Sequence, residues 1–192
     1  TTTGTQNDFA PGIATGQHTI IRLNNASFLT IAGLAGGVDG QHLRLISIGA
    51  GQVELTHQAA GSAAANRLIN FVTAGATPLA AGTGVAELVY DGTTARWRLV
   101  EHEQGAWLTR TFAAGNYTAS AGTWTVASAS RDAVYISGRT MSYQFSVTGT
   151  TSGTPVSVII RLASDYTAAS SASTWSYYIS NNGAGASETG YG

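Results

Sequence analysis

The chain of 192 residues has no cysteine, no lysine, one methionine and three prolines. Without cysteine it can form no disulfide framework, no thiolate zinc site and no cysteine nucleophile. Charged residues make up 10% of the sequence and the formal net charge is −1, whereas an ordinary globular domain has about 25% charged residues. No apolar run approaches the roughly 18 residues of a transmembrane helix, so the sequence predicts no membrane insertion.

All nine basic residues are arginine, and they are scattered from Arg22 to Arg161 without forming a run. Nucleic-acid recognition needs a basic stripe or patch, so we expect no nucleic-acid partner. Two explanations of the missing lysine stay open. One is a base-composition bias of the genome, and the other is that arginine serves bidentate pairing at interfaces.

The chain begins at Thr1 without an initiator methionine or a signal peptide, as expected of a processed or partial chain. Residues 1–8 are polar and show no period, so we expect them to form an extended arm. A hydrophobic content of 43% is sufficient for a buried core and argues against disorder driven by charge.

Short apolar runs separated by glycine-rich loops follow the arm. This spacing is typical of an all-β sandwich or barrel, and we expect a glycine-rich β domain over residues 9–105. The strand-like runs are Thr19–Leu23, Ser27–Ile31, His42–Ile48, Gln52–His57, Leu68–Val72, Val85–Tyr90 and Arg96–Glu101.

A hairpin and a helical turn are predicted in the middle of this domain. Gly49-Ala50-Gly51 separates two strand-like runs, and glycine tolerates the positive φ of a tight hairpin loop. The alanine-rich segment Ala59–Arg67 favours helix, but it is too short to be stable alone. We therefore expect at most one helical turn there.

A second hairpin is predicted at Asp91-Gly92, which is a strong turn signal. In the strand that follows, Trp97 and Leu99 alternate with Arg96 and Arg98. The alternation predicts that the first pair faces a core and that the arginines face water or a neighbouring subunit. Arg96 and Arg98 are therefore the candidate residues for a subunit interface.

The composition changes at Gln104–Ala113, after which serine, threonine and aromatic residues dominate. In Thr140–Thr148 apolar and polar side chains alternate without a break, which indicates an antiparallel sheet with one buried and one wet face. We expect residues 106–192 to form an antiparallel domain of sandwich or jelly-roll type, so that the chain has two antiparallel β domains. Its strand-like runs are Thr123–Ala127, Asp132–Ser137, Thr140–Thr148, Val156–Leu162 and Trp175–Ile179.

Five strands are few for a closed sandwich, which usually has about seven or eight. The chain then ends in residues 181–192, which are rich in glycine, alanine and serine. This segment is either a flexible end or the point where the chain stops before the last strands of a longer domain. A lone five-stranded sheet would expose an apolar face or an edge, so truncation is the favoured interpretation.

Side chains that suit metal binding or acid–base catalysis occur in two places. Glu54 precedes His57 by three residues, and His102 lies between Glu101 and Glu103. Neighbours on a regular strand point to opposite faces, so Glu101 and His102 cannot chelate together, whereas Glu101 and Glu103 could share a face. Solvated strand ends are the favoured interpretation. The sequence also lacks a nucleophile elbow, a His-Glu-x-x-His motif and a phosphate loop. We therefore expect no catalytic residue, no metal and no cofactor.

Aromatic residues are the best candidates for ligand binding, and they concentrate after residue 113. Trp175 and Tyr177 lie on the apolar face by alternation, and buried aromatic residues more often serve packing than recognition. Tyr178 lies on the opposite face with Ser176 and Ser180, where its ring could stack on a sugar and the hydroxyls could bind sugar hydroxyls. The candidate ligand-binding residues are Tyr178, Ser176, Ser180, Trp124 and Tyr135.

A family resemblance rests on five stretches of the first part and two of the second. In the second part, Tyr117-Thr118-Ala119 precedes Gly122-Thr123-Trp124-Thr125-Val126, which resembles the β-sandwich tip domains of bacteriophage fibres. In their order, the stretches of the first part resemble a module of tail-fibre-like and other virion surface proteins of bacteriophages. They are Ile21–Ser27, Leu34–Gln41, Ile48–Gln58, Ser62–Arg67 and Leu88–Arg98.

The resemblance implies a non-enzymatic structural protein of a virion surface, namely a fibre, spike or decoration module. It implies a homotrimer, other virion proteins as partners, and host surface saccharide as a ligand of the distal part. A free-standing carbohydrate-binding module or lectin is the alternative. A glycan-degrading enzyme of the tailspike kind is a third hypothesis, which would require a long β-helical repeat and paired acids, and the sequence analysis finds neither.

Overall fold

The structure is a computed structural model that describes residues 3–12, 19–71, 75–119, 121–152, 158–161, 176–179 and 188–191. Within these ranges nearly all regular structure is β-strand, and the helical segments are single 3-10 turns at Ala64–Asn66 and Ala114–Asn116. The prediction of an all-β fold is confirmed, as is the single helical turn within Ala59–Arg67. No helix in the described part of the chain is long and apolar enough to cross a membrane.

The first part of the chain contains short strands that alternate between two sheets. Residues 4–6, inside the predicted arm, are extended and pair with a later strand as an edge of the first sheet. The strands are β1 Gly4–Gln6, β2 Thr19–Leu23, β3 Leu29–Ile31, β4 His42–Ser47, β5 Val53–Thr56, β6 Leu68–Ile69, β7 Ala76–Leu79, β8 Val85–Asp91 and β9 Arg96–Glu103.

This part is wound as a short coil with parallel pairing. β1, β3 and β5 pair in parallel in one sheet, and β2 and β4 pair in parallel in the other. Thr19 pairs with Leu43 and Leu29 pairs with Val53, so these turns of the coil take 24 residues, and the turn from Gly4 to Leu29 takes 25. The expectation of a purely antiparallel first domain is therefore wrong, because strands in successive turns of a coil run in the same direction.

The sequence contains a sign of this coil that the sequence analysis missed. Gly-Gln-His occupies residues 16–18 and again residues 40–42, which is the same spacing of 24 residues. The first copy directly precedes β2 and the second reaches the first residue of β4. A search for a repeat of this length would have indicated the parallel pairing.

The predicted hairpin at Gly49-Ala50-Gly51 is also wrong, because β4 and β5 lie in different sheets. The two glycines are needed for another reason, which is the close approach of the preceding turn of the coil. A Cβ on Gly49 would lie 2.3 Å from the backbone oxygen of Asn25, and one on Gly51 would lie 2.1 Å from that of Ser27. Asn25, 1% exposed, ties the turns together by donating to the backbone oxygen of Gly51 at 2.9 Å.

Gly51→Ala is expected to lower the free energy of unfolding by about 1–3 kcal/mol or more, because overpacking forces the backbone apart. Urea unfolding followed by circular dichroism measures the change. Gly115→Ala is the matched control, since its Cβ would meet nothing within 4 Å, and its effect should stay within about 0.5 kcal/mol. Equal stability of the two variants would contradict the close approach at Gly51.

The inward faces of the two sheets form one hydrophobic cluster. As predicted, Trp97 and Leu99 point into it, at 0% and 6% exposed. The Trp97 indole nitrogen donates to the backbone oxygen of Leu34 at 2.8 Å, and its ring packs edge-on against Tyr90. The predicted β8–β9 hairpin is present, with Asp91 paired to Arg96.

A β-bulge in β9 changes the alternation after Leu99. Leu88 pairs with Leu99 while Glu87 pairs with Glu101, so Val100 is the extra residue. His102 consequently points inward, 2% exposed, while Glu101 stays exposed. Burial lowers the pKa of His102 below its ordinary value. The prediction that Glu101 and His102 lie on opposite faces is confirmed.

The second part is dominated by a long antiparallel hairpin. The runs Thr123–Ala127 and Asp132–Ser137, predicted as two strands, form one continuous strand because two β-bulges accommodate the residues between them. The strands of this part are β10 Leu108–Thr109, β11 Tyr117–Ala119, β12 Thr123–Ser137, β13 Thr140–Ser152, β14 Val158–Ile160, β15 Ser176–Ile179 and β16 Glu188–Tyr191.

The long hairpin continues the second sheet of the first part. β12 pairs with β9 through Ser137 and Glu103. β10 pairs with β12 a few residues earlier, at Val134 and Ala133. Gln104, 0% exposed, joins the two parts: its side chain donates to the backbone oxygen of Val134 at 2.9 Å and accepts from the backbone N–H of Ile136 at 3.2 Å. The sheet therefore runs across the expected boundary at Gln104–Ala113.

Candidate functional site

Three of the five predicted ligand-binding residues lie far along the chain, in or next to β15. Ser176 and Tyr178 belong to β15, where they pair with Tyr191 and Thr189 of β16. Ser180 lies outside the described residues. The role of these three residues in ligand binding stays a prediction.

Trp124 is a packing residue in this structure. Its half-buried ring stands edge-on to Tyr117, with 6.0 Å between the ring centres and 84° between the planes. Tyr117 is 2% exposed, so Trp124 lies on the inward side of the hairpin. That position does not present its ring to a ligand on the outer side.

Tyr135 lies on the opposite side, in a cluster that suits ligand binding. Its ring centre is 5.5 Å from that of Trp107, and its hydroxyl donates to Glu103 Oε1. Ser137 donates to the other carboxylate oxygen of Glu103 at 2.8 Å. The guanidinium carbon of Arg131 lies 5.7 Å from the Trp107 ring centre. We call Glu103, Trp107, Arg131, Tyr135 and Ser137 the junction patch.

The strand alternation explains how these side chains come together. On β12, Arg131, Tyr135 and Ser137 point outward, whereas Val134 and Ile136 are buried. Glu103 joins them because the last residue of β9 pairs with Ser137.

Trp107 completes the patch from the loop before β10. That loop is held in place because Gln104 Nε2 donates to the backbone oxygen of Ala106 at 2.7 Å. Trp107 was not predicted as a ligand-binding residue, because it precedes the segment after residue 113 in which the aromatic residues concentrate. A tryptophan in the segment where the composition changes was the available signal.

Hydroxyl groups continue the patch along the hairpin. The exposed Ser130 donates from its Oγ to Ser146 Oγ at 2.8 Å, and Ser128 and Thr148 form the same kind of pair at 2.8 Å. On β13 the predicted alternation is confirmed, with Ser142, Gln144 and Ser146 exposed and the apolar residues between them half-buried. The outer side of the hairpin therefore presents aromatic rings, one carboxylate, one guanidinium and a row of hydroxyls.

These groups are of the kinds that contact saccharides. An aromatic ring offers a face to the apolar side of a sugar, and carboxylate and guanidinium groups form strong hydrogen bonds with hydroxyls. Glycoside hydrolysis needs a pair of carboxylates, whereas the junction patch contains one.

Glu54 and His57, the other candidate pair from the sequence, have different hydrogen-bond partners. Glu54 accepts a hydrogen bond from Gln52 at 3.2 Å, and His57 Nδ1 lies 3.0 Å from Asn70 Oδ1. In the described ranges no three histidine, aspartate or glutamate side chains are grouped as a metal site.

Arg96 and Arg98 have partners inside the chain. Arg98 Nε donates to Asp91 Oδ2 at 2.7 Å, and this bond is the main reason why the pKa of Asp91 falls to about 2. Arg96 Nε donates to Gln58 Oε1 at 3.1 Å, and its Nη1 donates to the backbone oxygen of Ala95 at 2.8 Å. Both arginines therefore support the β8–β9 turn, and their role at a subunit interface stays a prediction.

A buried polar cluster on the inward side of the hairpin was not predicted. Asp132, 3% exposed, accepts hydrogen bonds from the hydroxyls of Tyr117 and Tyr143 at 2.7 and 2.8 Å. Arg110 Nη1 lies 3.4 Å from Asp132 Oδ1 and donates to the Tyr143 hydroxyl at 3.2 Å. These four residues, the tyrosine–aspartate cluster, come from or adjoin β10, β11, β12 and β13, and they hold these elements together.

The tyrosine–aspartate cluster makes folding sensitive to alkali. Burial, the largest cause in each case, raises the pKa values of Tyr117 and Tyr143 above the ordinary tyrosine value. The unfolded chain then loses these protons at about pH 10 while the folded chain keeps them. We therefore expect full stability below about pH 10. Above it, stability should fall by at most about 1.4 kcal/mol per pH unit for each tyrosine until the raised pKa of that tyrosine in the folded chain is reached.

Urea unfolding between pH 8 and pH 11 measures this dependence. Tyr117→Phe removes one of the two groups, so its stability should fall less steeply above pH 10 than that of the parent chain. Parallel curves for the two proteins would show that the Tyr117 proton is not responsible.

Comparison of the chain with protein-family models, with curated proteins and with solved structures finds no match.

Proposed function

We propose that this chain is a non-enzymatic, saccharide-contacting β module. More particularly, we propose that it is a structural protein of a bacteriophage virion surface, namely a fibre, spike or decoration module, assembled as a homotrimer with other virion proteins. The observation that carries the proposal is the pairing of Trp107 and Tyr135 beside the Glu103 carboxylate and the Arg131 guanidinium. The resemblance of the sequence supports the virion role.

The junction patch is open and small, so one copy should bind weakly. A single stacking site with a few hydrogen bonds has a dissociation constant near 1 mM, which corresponds to about 4 kcal/mol. Several copies in one assembly raise the avidity without new contacts when the host surface presents the glycan densely. Weak binding by each copy therefore suits a surface protein that is present in several copies.

Trp107→Ala should lower saccharide binding by about tenfold or more, because stacking and apolar contact are lost together. The measurement is binding to a glycan array, followed by titration of the best glycan. Phe28→Ala is the matched control, because Phe28 is a 47% exposed aromatic residue of the first part. Its binding should equal that of the parent chain. Equal binding by both variants, or no glycan bound by the parent chain, would contradict the proposal.

A free-standing carbohydrate-binding module or lectin is the second candidate, because the junction patch needs no virion to bind a glycan. Immunogold imaging of purified particles separates the two candidates. Label on the particle surface supports the virion protein, and label absent from particles that contain the chain's gene favours the free-standing module.

A further inference from the structure

The outward face of β2, β4, β8 and β9 has an unusual distribution of apolar and charged side chains. Ile20 and Val100 are 53% and 50% exposed at opposite edges of this face. Between them Ile46, Val85 and Val89 are half-buried. Ile46 and Val85 pair directly, so aliphatic side chains recur across this face between the charged residues. We call this surface the outer face.

Charge is separated across the outer face. In one row across the strands, Ile20 pairs with Arg44, Arg44 with Glu87, and Glu87 with Glu101. The neighbouring row begins with Arg22 on β2 and ends with Glu103 on β9, which also belongs to the junction patch. Arg96 and Arg98 stand on the same face of β9, and Arg98 is paired with Asp91 at 2.7 Å. The β2–β4 half therefore has the charges of Arg22 and Arg44, whereas the β8–β9 half is acidic on balance.

The charges at the two edges are the ones available to a partner. Arg44 and Glu87 lie at the centre, with 4.0 Å between Nη1 and Oε2. Arg22 and Glu101 are exposed at the edges, and within the ranges that the structure describes neither has an ion-pair partner.

We propose that the outer face packs against a second copy of this chain, with the basic half of one copy on the acidic half of the other. Ile20 and Arg22 of one copy then meet Val100 and Glu101 of its neighbour, so that apolar and charged groups are both matched. Packing of two like halves would place equal charges opposite one another, and this repulsion disfavours the arrangement. The inference rests on the homo-oligomer of the proposed function and names its surface. The two surfaces share Glu103, which none of the charge-reversal variants changes.

Charge reversal tests this pairing in the intact chain. Light scattering and sedimentation over a concentration series measure the native mass. The variant Arg22→Glu with Arg44→Glu should raise the dissociation constant of the oligomer by about tenfold or more, and so should Glu87→Arg with Glu101→Arg. The fourfold variant reverses both halves, keeps the net charge and the central pair, and should assemble like the parent chain. Arg139→Glu, in the β12–β13 turn, is the control and should leave the mass unchanged.

Circular dichroism shows whether each variant is folded. A parent chain that stays monomeric at micromolar concentration overturns the proposal. A folded fourfold variant that does not recover assembly also overturns it, since the basic half of one copy would then not be the partner of the acidic half of the other. Each folded variant should bind the glycan with the affinity of one junction patch. Failure of assembly is therefore distinguishable from failure of saccharide recognition.

Discussion

Asp132→Ala is expected to lower the free energy of unfolding by about 3–5 kcal/mol, because it leaves a buried charge without its partner. The guanidinium of Arg110, whose side chain is 15% exposed, would lose the carboxylate 3.4 Å away. The hydroxyls of Tyr117 and Tyr143 would lose the acceptor that each now uses. Urea unfolding at pH 7, monitored by circular dichroism, measures the effect.

Ser130→Ala is the control for this experiment, because Ser130 lies on the outer side of the same strand and its hydroxyl bonds an exposed serine. Its effect should stay within about 0.5 kcal/mol. Asp132→Asn should fall between the two, since it keeps the shape and one acceptor but removes the charge. An Asp132→Ala variant as stable as the Ser130→Ala variant would show that the tyrosine–aspartate cluster does not hold the hairpin.

Trp97→Ala should cost about 3–5 kcal/mol, the usual range for removal of a large buried ring. The ring is 0% exposed and packs 5.2 Å from Tyr90, centre to centre. Its indole nitrogen also bonds the backbone oxygen of Leu34, 63 residues away in the chain. The substitution thus removes packing and a long-range hydrogen bond in one step. Thermal and urea unfolding measure the loss.

Trp97→Phe separates the two contributions. It keeps most of the ring packing but leaves the buried oxygen of Leu34 without its donor, a cost of about 1–3 kcal/mol. It should therefore be clearly less stable than the parent chain and clearly more stable than Trp97→Ala. A phenylalanine variant as stable as the parent would show that the hydrogen bond contributes nothing.

The junction patch shows how far the sequence leads toward a site. Tyr135 was predicted as a binding residue from its aromatic character and its strand. Glu103 and Trp107 were not, because they come from the end of β9 and from the next loop. Their meeting depends on the pairing of Ser137 with Glu103, which no local pattern indicates. Trp124 was predicted by the same reasoning as Tyr135, yet it lies on the inward side, because the two β-bulges of β12 cancel and the residues stand on opposite faces by alternation.

Alternation along a strand determined the direction of side chains wherever the strand was regular. It correctly separated Trp97 and Leu99 from Arg96 and Arg98, and Met141 from Ser142, because successive residues of a strand point to opposite faces. The abundance of glycine-separated short runs likewise determined the all-β class. Alternation and the spacing of glycine are local properties, so the sequence alone is sufficient to indicate them.

Strand partners were decided only by the tertiary structure. Gly49 and Gly51 have the composition of a hairpin loop, yet in the structure their lack of a Cβ lets one turn of the coil pack closely against the next. Asp132 reads as a polar residue at a strand end, yet it is buried among Tyr117, Tyr143 and Arg110. In each case the deciding contacts join residues distant in sequence, and their free energy depends on which surfaces the whole chain buries together.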